Sequence, residues 1–273
     1  SQFTVTPWIG NSRCSQKVKR QIAQLSGENG PILLEGESGT GKEVVARLLH
    51  QQKNGPFIPI NVAAIPKHLF ESELFGHTKG SFTGADQNKM GLAEAAHNGT
   101  LFIDEIEALP IELQVKLLRF LESGEIKRVG SKQPVIVDTR VVIATNKNLD
   151  EMVNQGMFRE DLLWRIRSSR IELPPLRQRK EDISELAKYF ISFDSVRNKQ
   201  ICNEAVRAMT LHDWPGNVRE LKRCCENLLI HSPLPIIREE DVRNELKSKA
   251  GNWNQPRSGF SLDFKRGLQK LLT

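Results

Sequence analysis

Four short apolar runs punctuate the first half of the chain: Ile32-Leu33-Leu34, Phe57-Ile58-Pro59-Ile60, Leu101-Phe102-Ile103 and Val141-Val142-Ile143-Ala144. Between them, apolar positions recur at intervals of three and four, the period of a helix laid against a core. In residues 43–51, Val44, Val45, Leu48 and Leu49 make one stripe. In residues 110–121, a proline suited to a first helical turn precedes Leu113, Leu117, Leu118 and Leu121. Apolar strands alternating with amphipathic helices predict an α/β fold, a parallel sheet flanked by helices. Arg170-Ile171-Glu172-Leu173 reads as a last strand, and Pro174-Pro175 after it can continue neither a helix nor a ladder. A first unit of residues 1–175 is expected to end there.

Beyond residue 176 helices dominate. Residues 182–190, 203–211, 218–230 and 239–246 all carry helical patterns, which predicts a smaller C-terminal helical lid over 176–249. From 250 the composition becomes linker-like, and Phe264, Leu268, Leu271 and Leu272 then fall at helical spacing. That final helix either docks on the lid or starts a further domain, residues 250–273 being expected to hold a linker and the start of a truncated C-terminal DNA-binding domain.

Composition narrows this picture modestly. At 273 residues and 38% hydrophobic content the chain suits a globular protein with one large and one smaller domain. No run approaches the roughly 18 uninterrupted apolar residues of a membrane span, and Ser1-Gln2-Phe3-Thr4 lacks a signal-peptide pattern. A soluble, cytoplasmic protein is expected. Cys14, Cys202, Cys224 and Cys225 show no metal-ligand spacing, so reduced thiols without disulfide or zinc are expected. The net charge of +6 favours encounter with polyanions, yet Lys and Arg are interspersed with Asp and Glu, and a mixed solvated surface is the stronger reading, accounting for the balance without any nucleic-acid site.

The chemistry is concentrated at strand ends. Gly36-Glu37-Ser38-Gly39-Thr40-Gly41-Lys42 follows an apolar strand and opens a helix, the context that a phosphate-binding GxxxxGK loop requires. Its glycines let backbone N–H groups turn toward phosphate oxygens, the helix N-terminus adds partial positive charge, and Lys42 reaches the β and γ phosphates. Glu43 stands where the generic motif has a magnesium-touching Ser or Thr. Asp104 and Glu105 end a buried strand, placing one carboxylate for magnesium and one to orient or deprotonate the attacking water. Asn61 and Asn146 are polar residues at two other strand ends, each either a site residue or an ordinary cap.

Beyond these, Glu73-Leu74-Phe75-Gly76-His77 and then Gly80-Ser81-Phe82-Thr83-Gly84-Ala85 complete a pattern that resembles the AAA+ domain of sigma-54-dependent transcription activators, the bacterial enhancer-binding proteins. Their hallmark is a GAFTGA loop, from which this chain departs only at Ser81, and in that family a Glu follows the loop lysine, as Glu43 does here. The resemblance runs from about residue 9 to about 231. It implies an AAA+ P-loop ATPase that binds ATP and Mg2+, forms a homo-oligomer with a hexameric ring expected, and remodels sigma-54 RNA polymerase holoenzyme to open promoter complexes.

Residue by residue, the resemblance implies that Asn61 restrains Glu105, that Asn146 senses the γ-phosphate, and that Arg159 and Arg165 reach a neighbouring subunit's ATP site. It implies that Arg219, in Trp214-Pro215-Gly216-Asn217-Val218-Arg219-Glu220-Leu221, contacts phosphates from the lid, although Pro215-Gly216-Asn217 is a sound turn and cap by itself. Gly80, Phe82, Thr83 and Gly84 would grip sigma-54. Arg159 and Arg165 also read as exposed residues pairing with Glu160 and Asp161. Members of the family usually carry an input domain before this unit and a Fis-like domain after it, through which enhancer DNA would be bound. A AAA+ ATPase remodelling a different protein target is the alternative, and a regulator that binds nucleotide and DNA without turnover is a second.

Overall fold

The computed structural model describes residues 6–51, 54–192 and 199–250. Five strands, β1 (Ile32–Glu35), β2 (Phe57–Asn61), β3 (Thr100–Asp104), β4 (Arg140–Thr145) and β5 (Ser169–Glu172), form one parallel sheet in the order β2-β3-β4-β1-β5. The four apolar runs all lie in it, and the 170–173 segment is displaced by one residue. Continuous apolar strands are what a sheet buried on both faces demands. Leu34, Phe102, Val142 and Ala144 face a core completed by Val18, Ile22, Val45 and Leu49. Leu33, Leu101, Ile103 and Ile143 face the other, completed by Leu74, Leu117, Phe120 and Leu162. The split follows the strand period of two.

Helices α1 (Arg13–Leu25) and α2 (Lys42–His50) cover the first face. The second face is covered by α3 (Lys67–Phe75), α4 (Leu92–Ala95), α5 (Ile111–Ser123), α6 (Leu149–Asn154) and α7 (Glu160–Ile166). Of these, periodicity predicts α2 and α5 to within two residues at each end. Two antiparallel ribbons, Gly76–His77 with Lys89–Met90 and Glu125–Lys127 with Pro134–Ile136, leave the sheet unit. Paired segments of two or three residues carry no period that a sequence pattern can register.

The lid consists of α8 (Ile183–Ser192), α9 (Asn203–Leu211), α10 (Asn217–His231) and α11 (Glu239–Ala250), with a short parallel pair of Gln200–Ile201 and Ile236–Ile237. Its core is separate, built on Trp214, Leu186, Met209, Leu221, Leu228 and Val242. Trp214 is fully buried and its indole N–H donates to the Met209 carbonyl at 2.8 Å, so the ring adds apolar area without an unpaired polar atom. Cys224 and Cys225 lie in the same core. Leu173 still packs under the sheet while Leu176 packs in the lid, so the change of core falls on Pro174-Pro175. The 251–273 part of the expected linker and the final helix at 264–272 lie outside the described residues.

Because β1 is interior while the chain leaving it crosses to β2 at the sheet's edge, the loops following β1, β3 and β4 open on one side, where α/β sheets take ligands.

Candidate active site

The loop from Gly36 to Gly41 joins β1 to α2, and Gly41 is the left-handed residue at the helix N-terminus. Lys42 turns back over this loop, its Nζ donating to Gly36 O at 2.6 Å and Glu37 O at 3.1 Å. Burial lowers the Lys42 pKa from its ordinary value, opposed by the nearby charges of Asp104 and Glu107. Burial likewise raises Asp104, opposed chiefly by Lys42. A half-desolvated cation and carboxylate facing one another is a site whose charges are set for a polyanion and a hard cation.

Glu105, which follows directly, has φ 58° and ψ 48°, a conformation sparsely used outside glycine and asparagine. Its N–H donates to Asp104 Oδ1 at 3.0 Å, which fixes the Asp104 carboxylate at the end of β3. Asn146 follows β4 and is exposed on the same edge. Thr145 before it donates to Glu107 at 2.7 Å. Ser38, Thr40, Lys42, Glu43, Asp104, Glu105, Asn146 and Arg219 all line one cleft of about 360 Å³, in the size range of small-molecule sites.

The lid is fastened to the phosphate loop by its backbone and by the side chains of Arg177, Arg179, Asn217 and Arg219. Val218 N and Arg219 N donate to Gly39 O at 3.0 and 3.3 Å, and Arg219 donates to Ser38 Oγ at 2.8 Å. Gly39 has φ 80°, and a Cβ there would stand 2.4 Å from the Gly216 carbonyl oxygen, so this contact requires glycine. Arg177 pairs with Glu37 through two hydrogen bonds, at 2.8 and 2.5 Å, and this guanidinium holds the Glu37 carboxyl down to about 2. Asn217 is fully buried: Oδ1 accepts from Leu176 N at 2.8 Å, and Nδ2 donates to Glu37 at 3.1 Å and Ser38 O at 3.0 Å. Gly216 is the N-cap of α10, so Asn217 does not cap that helix; its side chain bridges the loop to the lid instead.

Asn61 ends β2 directly beside Asp104 in register. Its Oδ1 accepts from Ala64 N at 3.2 Å, it lies outside the cleft lining, and among the described residues it has no hydrogen bond to Glu105. Arg159, half-buried, and Arg165, exposed, also stand outside the cleft, at the two ends of α7. Arg159 pairs with Asp161 at 2.6 Å and Arg165 donates to Leu121 O at 2.8 Å, so the pairing read for both from sequence holds only for Arg159. Trp164 and Met157 beside them are exposed.

The Gly80–Ala85 segment is a closed turn. Gly80 N donates to Ala85 O at 2.8 Å, Ala85 N to Phe82 O at 3.0 Å, and Gly80 and Gly84 both have positive φ. Phe82 and Thr83 stand at its exposed tip, Phe82 with 38% exposure and its ring against the edge of His77 at 5.1 Å. His77 is itself fixed by Ser72 Oγ at 2.7 Å. Sequence reasoning did not single out Arg177, Arg179 or Trp8, which also reach the cleft or its loop. Their partners lie far away in sequence, and only a spacing shared with those partners could have drawn attention to them.

The sigma-54 interaction domain family matches residues 8–172, and the AAA+ ATPase lid domain family matches residues 177–259. The DNA-binding transcriptional regulator NtrC of Rhizobium meliloti (strain 1021) is 46% identical over 249 residues, 89% of this chain and 51% of that protein. The regulatory protein AtoC of Escherichia coli (strain K12) is 43% identical over 251 residues, 89% of this chain and 54% of its own length. This chain spans about half the length of these curated relatives. The crystal structure of NtrX from Brucella abortus in complex with ATP superposes with a TM-score of 0.80 at 32% identity, covering 96% of this chain and 59% of that one. The Thermotoga maritima RuvB Holliday junction branch migration motor, at 17% identity and a TM-score of 0.62, covering 88% of this chain and 70% of that one, shares the fold. With an AAA+ sheet, its helical lid and an exposed Phe-Thr turn in one chain, the protein belongs to the NtrC-like family of sigma-54 activators, as their AAA+ central domain.

Proposed function

We propose that this chain is an ATP-hydrolysing motor that assembles into a ring, six subunits being the expected number, and remodels sigma-54 RNA polymerase holoenzyme to open promoter complexes. The observation that carries this reading is the division of labour on one scaffold: Lys42, Asp104, Glu105, Asn146 and Arg219 converge on the cleft, while Phe82 and Thr83 project from an excursion of the same sheet unit. The loop of Gly36, Glu37, Ser38, Gly39, Thr40 and Gly41 wraps the phosphates, Lys42 and Arg219 carry the compensating charge, and Glu105 orients the attacking water. Asn146 reads the γ-phosphate, and Asn61, beside Asp104, limits where Glu105 can swing. Mg2+ fits the donor set of Asp104 together with nucleotide oxygens, and when bound it would supply charge neutralisation at the phosphates.

Arg159 and Arg165 serve a neighbouring subunit's cleft, since neither lines its own. Exposed Trp164 and Met157 on the same surface give that contact apolar area. Residues 1–175 make the α/β unit, 176–249 the lid, and 250–273 lead toward a DNA-binding domain that reaches enhancer DNA. Among the described residues no helix is long and apolar enough to cross a membrane, and the cytoplasm is the proposed location. Dependence on assembly is tested by ATP turnover against protein concentration, with the parent alone and mixed with Arg159→Ala. The expected result is turnover per chain that rises cooperatively, with about 10³-fold loss in pure Arg159→Ala. Turnover per chain independent of concentration would overturn catalysis in trans.

A further inference from the structure

Arg179 is the most buried cation of the cleft lining, with 2% exposure, and it sits on the short turn that leads from the sheet unit into the lid. Its guanidinium lies 4.3 Å from the centre of the Trp8 ring and donates to the Thr40 carbonyl oxygen at 2.9 Å. Nε is buried without a hydrogen-bond partner. The nearest carboxylate, three residues on, is otherwise engaged: Asp182 accepts from Asn11 N and Ser12 N, both at 2.8 Å, and from the hydroxyls of Ser12 and Ser15 at 2.7 and 2.6 Å. Burial accordingly pulls the Arg179 pKa down to about 10, opposed by Asp182. Keeping a cation there has a cost that packing alone does not explain.

The Thr40 carbonyl and the Gly41 N–H belong to one peptide unit, and in a planar trans peptide the two point in opposite directions. A donor that holds the carbonyl from the lid side therefore turns the N–H into the phosphate loop and polarises it as a donor. Among the described residues that N–H has no acceptor. Gly41 has φ 108°, and the Trp8 ring closes against it, 3.2 Å from where a Cβ would stand. Trp8 is held in turn by its indole N–H to Ser15 at 3.1 Å.

We propose that Arg179 is a positioning residue of the nucleotide site: it fixes the Thr40–Gly41 peptide so that the Gly41 N–H faces the phosphates of the bound nucleotide. This rests on the nucleotide reading of the cleft. Arg179 acts through the Thr40–Gly41 peptide of the loop, so its loss is felt by phosphate-bearing ligands and not by the nucleoside.

The test is calorimetric titration of the parent and Arg179→Gln with ADP and with adenosine, alongside thermal unfolding without ligand. The expected result is ADP binding weakened about tenfold or more, the scale of one charge-assisted hydrogen bond, with adenosine affinity unchanged. Equal loss for both ligands, or parental ADP affinity, overturns the proposal. Should Arg179→Gln fail to fold, Arg179→Lys replaces it, since an ammonium cannot both lie flat on Trp8 and reach Thr40. Selective loss of ADP again supports the proposal and parental binding overturns it. A parent that binds neither ligand refutes the reading of the cleft, a result separable from failure of the Arg179 proposal.

Discussion

Replacing Asn217 by alanine removes the one fully buried amide among the side chains through which the lid holds the phosphate loop. Two of its three hydrogen bonds, to Leu176 N and Ser38 O, have neutral partners, and the third is to the Glu37 carboxylate. Neutral bonds of this kind are worth about 1 kcal/mol each and one to a charged group about 2. Asn217 also has φ 54°, where alanine pays about 1 kcal/mol that asparagine largely avoids. The expected cost is about 5 kcal/mol, a large share of the roughly 5–15 kcal/mol that holds a domain together. Asn217→Gly escapes the φ penalty but adds under about 1 kcal/mol of unfolded-chain entropy, so the two variants should fall within about 1 kcal/mol of each other. Urea unfolding followed through tryptophan fluorescence, with Trp214 buried in the lid core, measures this. A loss under about 1 kcal/mol in both variants would refute the idea that Asn217 fastens lid to loop, and full recovery in Asn217→Gly would assign its role to backbone conformation alone.

Three further outcomes follow from the same geometry. Burial raises the Asp104 carboxyl, so the folded chain binds that proton more tightly than the unfolded one, and the charged form is a liability above the folded pKa that disappears as pH falls through it. Asp104→Asn should therefore melt higher than the ligand-free parent at neutral pH, with the gap closing toward acid pH, while ATP hydrolysis is lost. Glu37 behaves oppositely: its pKa falls from 4.5 to about 2, so its contribution is complete above about 4.5 and lost as pH falls toward about 2. The Glu37–Arg177 pair is half exposed, so Glu37→Gln should cost under about 1 kcal/mol at neutral pH and nothing near pH 2, with salt shrinking the difference. Ser81 Oγ is buried without a hydrogen-bond partner, and Ser81→Ala should raise stability by about 1 kcal/mol in thermal unfolding without changing ATP turnover.

Legibility followed the range of the interactions. The strands β1 to β4 could be read from their apolar runs, Asp104, Glu105 and Asn146 could be placed because each lies at a strand end or just after one, and Lys42 because it closes the glycine loop that opens α2. The Gly80–Ala85 turn was legible through glycines that its positive φ values use. Asn217 looked like a cap because its partners, Glu37 and Ser38, are about 180 residues away in sequence. Arg179, Asp182 and Trp8 were silent for the same reason, their contacts being long-range and made to backbone or to rings. Helix α1 was missed although Ser12 caps it through Ser15 N at 3.2 Å, because only Ser15, Val18 and Ile22 of its face are buried.

The central claim, that ATP turnover in this cleft drives the Phe82-Thr83 tip against sigma-54, is tested most directly by open-complex formation. The assay uses sigma-54 holoenzyme on a pre-melted promoter, with the parent compared against Thr83→Ala at equal ATP turnover. The account predicts that both hydrolyse ATP cooperatively and that only the parent opens the promoter. Equal promoter opening by both, or no engagement of sigma-54 by the parent, would contradict it and leave an ATPase acting on a different target.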